Sequence, residues 1–373
     1  MWLGKTMTRI RYGNTNWRLR CVSLIIFGIF SLGSASAKES EEVWKELSKL
    51  SGDERKTFLL SRARAEGEVV WYSSMNVDSL KPLKDGFEKS FPELKVRIWR
   101  GSGERVLNRV FTEARTGKSK VDVIGVGSKY LPPMMSSGLV GRYSSPERKF
   151  YPDIYKDQDG YWVSDYHMIG VIAYNTNLVP RSEAPRRYED FLHPRWRDSF
   201  AIDPNSDRTI MGWLKTWGDE KTENFLRNLM QNGPVIRRGH TLTTQLLCAG
   251  EFKAALELFA YRVLEVKQKG CPVELVFPDP TPSAPALVYV ARQSPHPYAA
   301  ALLIDYILSQ AGQRILMGKG WYSGRNGIKP KYPPMELEKA GAKILFLGPE
   351  DAQELEEKYL HLREQFFVKR PPS

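Results

Sequence analysis

The chain has 373 residues, 42% hydrophobic and 26% charged, a composition that excludes general disorder and leaves room for two ordinary domains or one large one. Its formal net charge is +12. Five of the cations stand in the first 37 residues, so a chain trimmed there carries +7, which suits an anionic ligand, an acidic partner surface or plain solubility.

Residues 1–37 read as a secretory signal peptide. Lys5, Arg9, Arg11, Arg18 and Arg20 make a basic start with no acid, Cys21 to Gly33 an apolar run, and Ala35 to Ala37 an A-x-A end. The run is shorter than the ~20 residues a spanning helix needs, so an uncleaved anchor is the weaker alternative. Cys21 opens the run, where a lipid-modified cysteine would not stand. An exported location is expected, where nucleic acid is not an expected partner. Cys248 and Cys271 remain after cleavage. Two thiols in an oxidising compartment can pair, but their separation does not show it, neither has metal-ligand spacing, and buried, independent cysteines are the favoured expectation.

Glu41 to Ala65 reads as a helical extension broken at "SGD". Val43, Leu47 and Leu50 share a face; Asp53 is the expected cap of the second part and Gly67 its end. From Glu68 strands and helices alternate. "VVWYSS", "LKVRIWR" and "VDVIGVG" are strands; "SLKPLKDGFEKSF", with Leu80, Leu83 and Phe87 on one stripe, and "GERVLNRVFTEARTGK" are helices. Such β-α repetition predicts a mainly parallel sheet covered on both faces. "MIGVIAYNTNLVP" is a strand leading to a second α/β unit, with strands at "SFAIDPNSD", "FKAALELF" and "VELVFPD" and helices over 208–217, 220–231 and 241–249. A further strand, "APALVYVARQ", two helices and a tail that is Pro-rich and then helical complete the chain.

Two α/β units joined by long strands imply a cleft between them, and open α/β sheets bind ligands beyond the carboxyl ends of their strands. The loops there are "YSS", "RGSG", "GVGS" and "DPNSD". No G-x-S-x-G, H-E-x-x-H or G-x-x-x-x-G-K-[ST] motif is present, and "RGSGE" has neither the lysine nor the glycine spacing of a nucleotide loop. No catalytic residue is assigned, and an exported enzyme is the lesser alternative.

The segment from "VVWYSS" through "RGSGERVLNRV" to "KVDVI", together with "YNTNLVP", "FLHPRWRDSFAIDP", "RGHTLTTQLLCAGEFKAAL" and "SPHPYAAALLIDYILSQAGQRIL", resembles periplasmic solute-binding proteins of the ferric-ion type, which serve ATP-binding-cassette importers. The resemblance runs from about Glu68 to Pro330. It implies an α/β, two-lobe periplasmic-binding-protein fold, type II-like, with the ligand cleft between the lobes, and a receptor that performs no chemical turnover. The expected division is 1–37 signal peptide, 38–66 N-terminal helical extension, 67–175 plus 285–330 first lobe, 176–284 second lobe and 331–373 C-terminal helical tail. The implied partners are a small solute or ion and a membrane permease, with the receptor itself a monomer. No cofactor is expected; ferric ion is a candidate cargo. In ferric members two neighbouring tyrosines hold the metal, whereas "LELFAYRVLEV" offers Tyr261 alone beside Ala260, and "WYSSMN" has no His. Metal ligands are left unassigned.

The residues expected at the ligand favour an anion or a zwitterion. Ser102 and Gly103 open one helix and Ser128 another, where free N–H groups carry partial positive charge. Ser73 and Ser74 follow the first strand, and Arg100 or Arg105 offers a forked donor set, with a solvated helix face as the alternative for Arg105. From the second lobe come Arg208, Arg238 and Thr241, with Asp203 placed for an ammonium and Tyr261 for a lid or a ligand. Tyr174 and Asn175 are expected where the chain crosses between lobes. His240 is expected to cap or pack, and a signalling receptor of the same fold is a further alternative.

Overall fold

The computed structural model describes residues 40–335, 337 and 339–368; the expected signal peptide lies outside the described residues. Among the described residues no helix is long and apolar enough to cross a membrane.

A short helix α1 (40–47) and α2 (Gly52–Glu66) precede the sheet. Ser51, not Asp53, is the N-cap of α2, with Asp53 in its first turn. Gly67 ends it at φ 75°, a left-handed conformation glycine adopts without a Cβ penalty. Then follow β1 (Glu68–Ser73), α3 (Val77–Ser90), β2 (Lys95–Arg100), α4 (Gly103–Arg115), β3 (Val123–Gly127) and α5 (Leu131–Ser136). The long strand β4 (Val163–Asn175) leads to β5 (Phe200–Ile202), α6 (Asp207–Trp217), α7 (Asp219–Gln231), β6 (Val235–Ile236), α8 (His240–Ala249), β7 (Ala254–Phe259), α9 (Ala260–Gln268) and β8 (Val273–Val276). The chain returns along β9 (Thr281–Val290), α10 (Pro297–Leu308) and α11 (Gln310–Gly318), and finishes with β10 (Ile344–Phe346) and α12 (Pro349–Arg363).

The strands order as β2-β1-β3-β9-β4-β7-β5-β6, with β10 beside β9 and β8 beside β4. The outer strands are parallel, as the β-α pattern predicts. The middle is not: β9 runs antiparallel to β3 and β4, and β4 antiparallel to β7 and β8. The sheet is therefore mixed rather than mainly parallel, because the two crossing strands run in opposite directions. β4 changes neighbours between Ile169, opposite Ser283 of β9, and Gly170, opposite Phe259 of β7. The crossing thus comes earlier in the strand than Tyr174–Asn175. Tyr174 is buried in a core cluster with Ile172 and Phe200, and Asn175 Nδ2 donates to the Leu247 carbonyl at 2.8 Å.

The core divides accordingly. On the β1–β3 side, the predicted stripe of Leu80, Leu83 and Phe87 is fully buried. Val43, Trp44 and Leu47 of α1 and Leu59 and Ala63 of α2 join the same core against α10. Arg55 of α2 pairs with Asp305 of α10 at 2.9 Å, and the Glu66 carboxylate accepts from the N–H groups of Tyr298 and Ala299, so the extension is docked and not loose. On the other side, Trp213, Phe225 and Leu226 form a second core, which Leu347, Leu355, Tyr359 and Leu362 of the tail complete. The tail is more than helical: β10 adds to the sheet, and α12 packs on α6 as well as on α5 and the turn after β3.

Cys248 and Cys271 form a disulfide with a Cα–Cα distance of 5.5 Å, tying the end of α8 to the approach of β8. This corrects the expectation of independent cysteines: α8 and α9 fold back beside β7 and bring together two positions whose separation of 23 residues carried no such signal.

Candidate functional site

β1 ends at Ser73, whose Oγ accepts from the Met75 N–H at 3.1 Å. That turn delivers Asn76 to the start of α3, where its Oδ1 accepts from the Ser79 N–H at 2.9 Å. Ser79 is fixed in turn by the Trp321 indole N–H, which donates to its Oγ at 2.7 Å. Facing this helix start, β7 runs straight into α9 and presents Tyr261 and Arg262. Between them lies a cavity of about 440 Å³, lined by Asn76 to Ser79, Lys81 and Pro82 on one side and by Tyr261, Arg262 and Glu265 on the other, with Lys319, Lys331 and Tyr332 closing it.

Tyr261 is held between aromatic neighbours. Its ring lies 4.1 Å from Trp321 and 5.9 Å from Phe259, and Tyr166 covers Trp321 at 4.4 Å. Burial pushes its phenol above the ordinary value, against the pull of Arg262, and it also interacts with Asn76. It therefore stays protonated at neutral pH and can donate. Arg262 Nη1 donates to Glu265 at 2.6 Å, and Lys269 reaches the other Glu265 oxygen at 2.9 Å. Burial alone would lower the Arg262 guanidinium, but Tyr261 and Glu265 raise it and it stays charged.

The other expected residues divide among four places. Ser74 lies in the loop before α3 and its N–H donates to Gly125 O at 2.9 Å. Arg100 is exposed nearby, its Nε 3.4 Å from the Met75 carbonyl. Ser102 is the N-cap of α4, its Oγ accepting from the Arg105 N–H at 3.3 Å. At Gly103 a Cβ would run into the Tyr130 ring, so this glycine admits a neighbouring side chain. The "RGSG" stretch is thus used for helix capping and packing.

Ser128, Asp203 and Arg208 belong to a second, polar place. Ser128, Lys129, Asp207 and Arg208 line a void of about 70 Å³, closed by Leu347 and Ala352 of the tail. Lys129 bonds Asp207 at 2.7 Å. Arg208 is paired with Glu257, lies 3.1 Å from His240 Nε2 and sits 4.6 Å from the Phe259 ring centre. Asp203 accepts from the N–H groups of Gly239 and Asn205 and lies 2.9 Å from His240 Nδ1. Burial would raise the Asp203 carboxyl, but His240 and these donors hold it below the ordinary value. Asp203 and Arg208 are thus engaged within the protein. Arg238 and Thr241 are exposed at the start of α8, and Tyr174 lies in the core.

The structure adds residues that sequence reasoning missed. Asn76 before "VDSL" carries a helix-start signal, and Arg262 stands next to the selected Tyr261. Lys331 and Tyr332 lie in a Pro-rich stretch without periodicity, and no local pattern marks them.

The profile of the family described as bacterial extracellular solute-binding protein matches residues 118–346. Among solved structures, the chain is similar to iron-bound HitA from Pseudomonas aeruginosa, with 21% identity, 80% of this chain and 99% of that one covered, and a TM-score of 0.71. It is similar to the apo ferric ion-binding protein A of Pasteurella haemolytica, with 21% identity, 82% and 100% coverage and a TM-score of 0.72. It is also similar to the periplasmic binding protein AfuA of Actinobacillus pleuropneumoniae with exogenous fructose-6-phosphate bound, with 18% identity, 82% and 100% coverage and a TM-score of 0.70. These likenesses show the two-lobe α/β binding-protein fold.

Proposed function

The chain belongs to the bacterial extracellular solute-binding protein family, and from that premise we propose that it is the periplasmic receptor of an ATP-binding-cassette importer, closing its lobes over a small anionic solute and handing it to the permease. The observation that carries this reading is the cavity between the start of α3 and the start of α9. Its walls come from opposite sides of the β4 crossing, so a solute touching both favours the closed arrangement over the open one. Its lining holds more cations than acids, which suits an anion. Of the expected lobes, 67–175 plus 285–330 and 176–284, we move one boundary: residues 170–175 already pair with β7 and β8, so the first lobe ends near Ile169. The receptor acts as a monomer and releases its solute chemically unchanged.

A ferric cargo is the second reading, favoured by the position of Tyr261 in the cavity and by the iron-bound state of the similar HitA. Against it, Arg262 puts a guanidinium beside the phenol, and Ala260 stands where a second neighbouring tyrosine would be.

The test is a thermal-shift screen of the mature protein, unfolded and refolded to strip endogenous solute, against ferric citrate, phosphorylated and neutral sugars and carboxylates. A true solute at 100 times its Kd adds about 2.7 kcal/mol of stability. Stabilisation by ferric ion alone would replace the anionic reading with the second one, and no stabilisation by any class would refute the receptor reading.

A further inference from the structure

Resting on that receptor reading, we propose that Tyr261 is a latch between the lobes: its ring, carried on the second lobe, seats on Trp321 in the core of the first and holds the two together before any solute arrives.

The first observation is where α9 buries its side chains. Ala260, Val263 and Leu264 lie in a core with Phe252 and Leu258, beside β7. Tyr261 alone among the buried residues of that helix joins the core on the β1–β3 side, with Tyr166, Leu316 and Trp321, and it is only 8% exposed. One side chain of the second lobe is thus packed into the first.

The second observation is the stack that receives it. Trp321 follows α11, which packs on α3 in the first lobe. Its ring lies 4.1 Å from Tyr261 with the planes 36° apart, and Tyr166 of β4 lies 4.4 Å from Trp321. On the second-lobe side Phe259 stacks on Tyr261 with the planes 22° apart, and the Arg208 guanidinium sits 4.6 Å from the Phe259 ring centre. The rings of Tyr166, Trp321, Tyr261 and Phe259 therefore run from one lobe into the other.

The seat is fixed from beneath. The Trp321 indole N–H donates to Ser79 Oγ at 2.7 Å, and Asn76, which caps the same helix start, interacts with the Tyr261 phenol. Rings in contact separate without breaking a strand ladder, so the latch can part and re-form as the lobes open and close. Tyr261 also lines the cavity between α3 and α9. A solute seated there touches the latch itself and shifts the equilibrium that the latch controls.

The experiment is small-angle X-ray scattering of the mature protein, refolded free of solute. The parent is compared with Tyr261→Ala, Tyr261→Phe and Trp321→Leu, and with Tyr261→Ala combined with Lys129→Gln, which removes the separate ion pair between the two sides. Circular dichroism melts establish that each protein is folded. The parent is expected to scatter as this structure does. Tyr261→Ala should raise the radius of gyration, and most in the Lys129→Gln background. Tyr261→Phe keeps the ring and should stay compact. Trp321→Leu should open the protein as Tyr261→Ala does; should it not fold, the Tyr261 series decides alone. The latch is refuted by a parent that is open without solute, by folded Tyr261→Ala as compact as its parent in both backgrounds, or by Tyr261→Phe as open as Tyr261→Ala. No solute enters this experiment, so the latch can fail while the thermal-shift screen upholds the receptor, and a failed screen refutes the receptor with the ring contact still measured.

Discussion

Lys129 Nζ lies 2.7 Å from Asp207 Oδ2, joining the turn after β3 to the first turn of α6 across the two sides of the molecule. Burial would raise the Asp207 carboxyl, but Lys129 and Arg208 hold it below the ordinary value. Lys129→Gln removes one of these cations and the tie between the two sides. The expected loss is about 1–3 kcal/mol in urea unfolding, with a larger radius of gyration of the solute-free protein in small-angle scattering. Unchanged scattering together with unchanged stability would show that the pair does not restrain the two sides.

The disulfide makes a separate prediction. Closing a loop of this length contributes about 3 kcal/mol in the chain-entropy account. Cys248→Ser should lose about that much, and a reducing agent should bring the parent to the same value without affecting the variant. Thiol titration of the native protein should find neither Cys248 nor Cys271 free.

Protonation sets the alkaline side of the stability curve at the joint between α2 and α10. Burial lifts Glu66 from 4.5 to about 7, outweighing the N–H donors of Ala299 and Tyr298. A raised carboxylate binds its proton more tightly in the folded state. Its contribution is therefore full below pH 4.5 and lost as pH rises towards 7. His296, raised chiefly by its bond to Asp122, acts in the same direction: its contribution is full below 6.5 and lost above its folded pKa. After allowance for partial exposure, the Glu66 share is about 1–2 kcal/mol. Glu66→Gln should flatten the fall in urea midpoint between pH 4.5 and 7.

On the acid side the group is His167, which burial lowers to about 3. It lies among Tyr155, Tyr322 and Phe346, with Ser164 Oγ 3.2 Å from its Nε2. The unfolded chain takes up this proton below pH 6.5 and the folded chain does not. Stability therefore drops as pH falls from 6.5 towards 3, by an amount on the order of 5 kcal/mol at the limit. His167→Gln should be less stable than the parent at pH 7 and lose less on acidification. A parallel loss in both proteins would assign the acid sensitivity elsewhere.

Ser102 separates capping from binding. As the N-cap of α4 it should cost about 1 kcal/mol on replacement by alanine, with the stabilisation by solute in the thermal-shift screen unaltered. An affinity loss in Ser102→Ala at full stability would return "RGSG" to the ligand.

Much of the architecture is legible in the residues. Leu80, Leu83 and Phe87 repeat at helical spacing because one face of α3 is buried, and Gly67 marks a left-handed helix end. The site is less legible, because one local pattern serves two purposes. Ser102 and Gly103 would look the same beneath an oxyanion as they do beneath Tyr130. Tyr174 lies in a strand buried on both faces, so no alternation tells a core tyrosine from a cleft tyrosine. Arg208 and Asp203 are spent on Glu257 and His240, partners set by tertiary folding. Tyr332 and Lys331 reach the cavity through an irregular segment that no periodicity describes.

The path of the C-terminal segment bears on how such a chain is put together. β10 completes an edge of β9, and α12 lies against α6 as well as α5, with Lys215 and Lys358 fastened to Asp351 and Asp219. Both elements come after every strand and helix they join. Each half can therefore collapse in chain order, and the segment that braces one against the other is added after both.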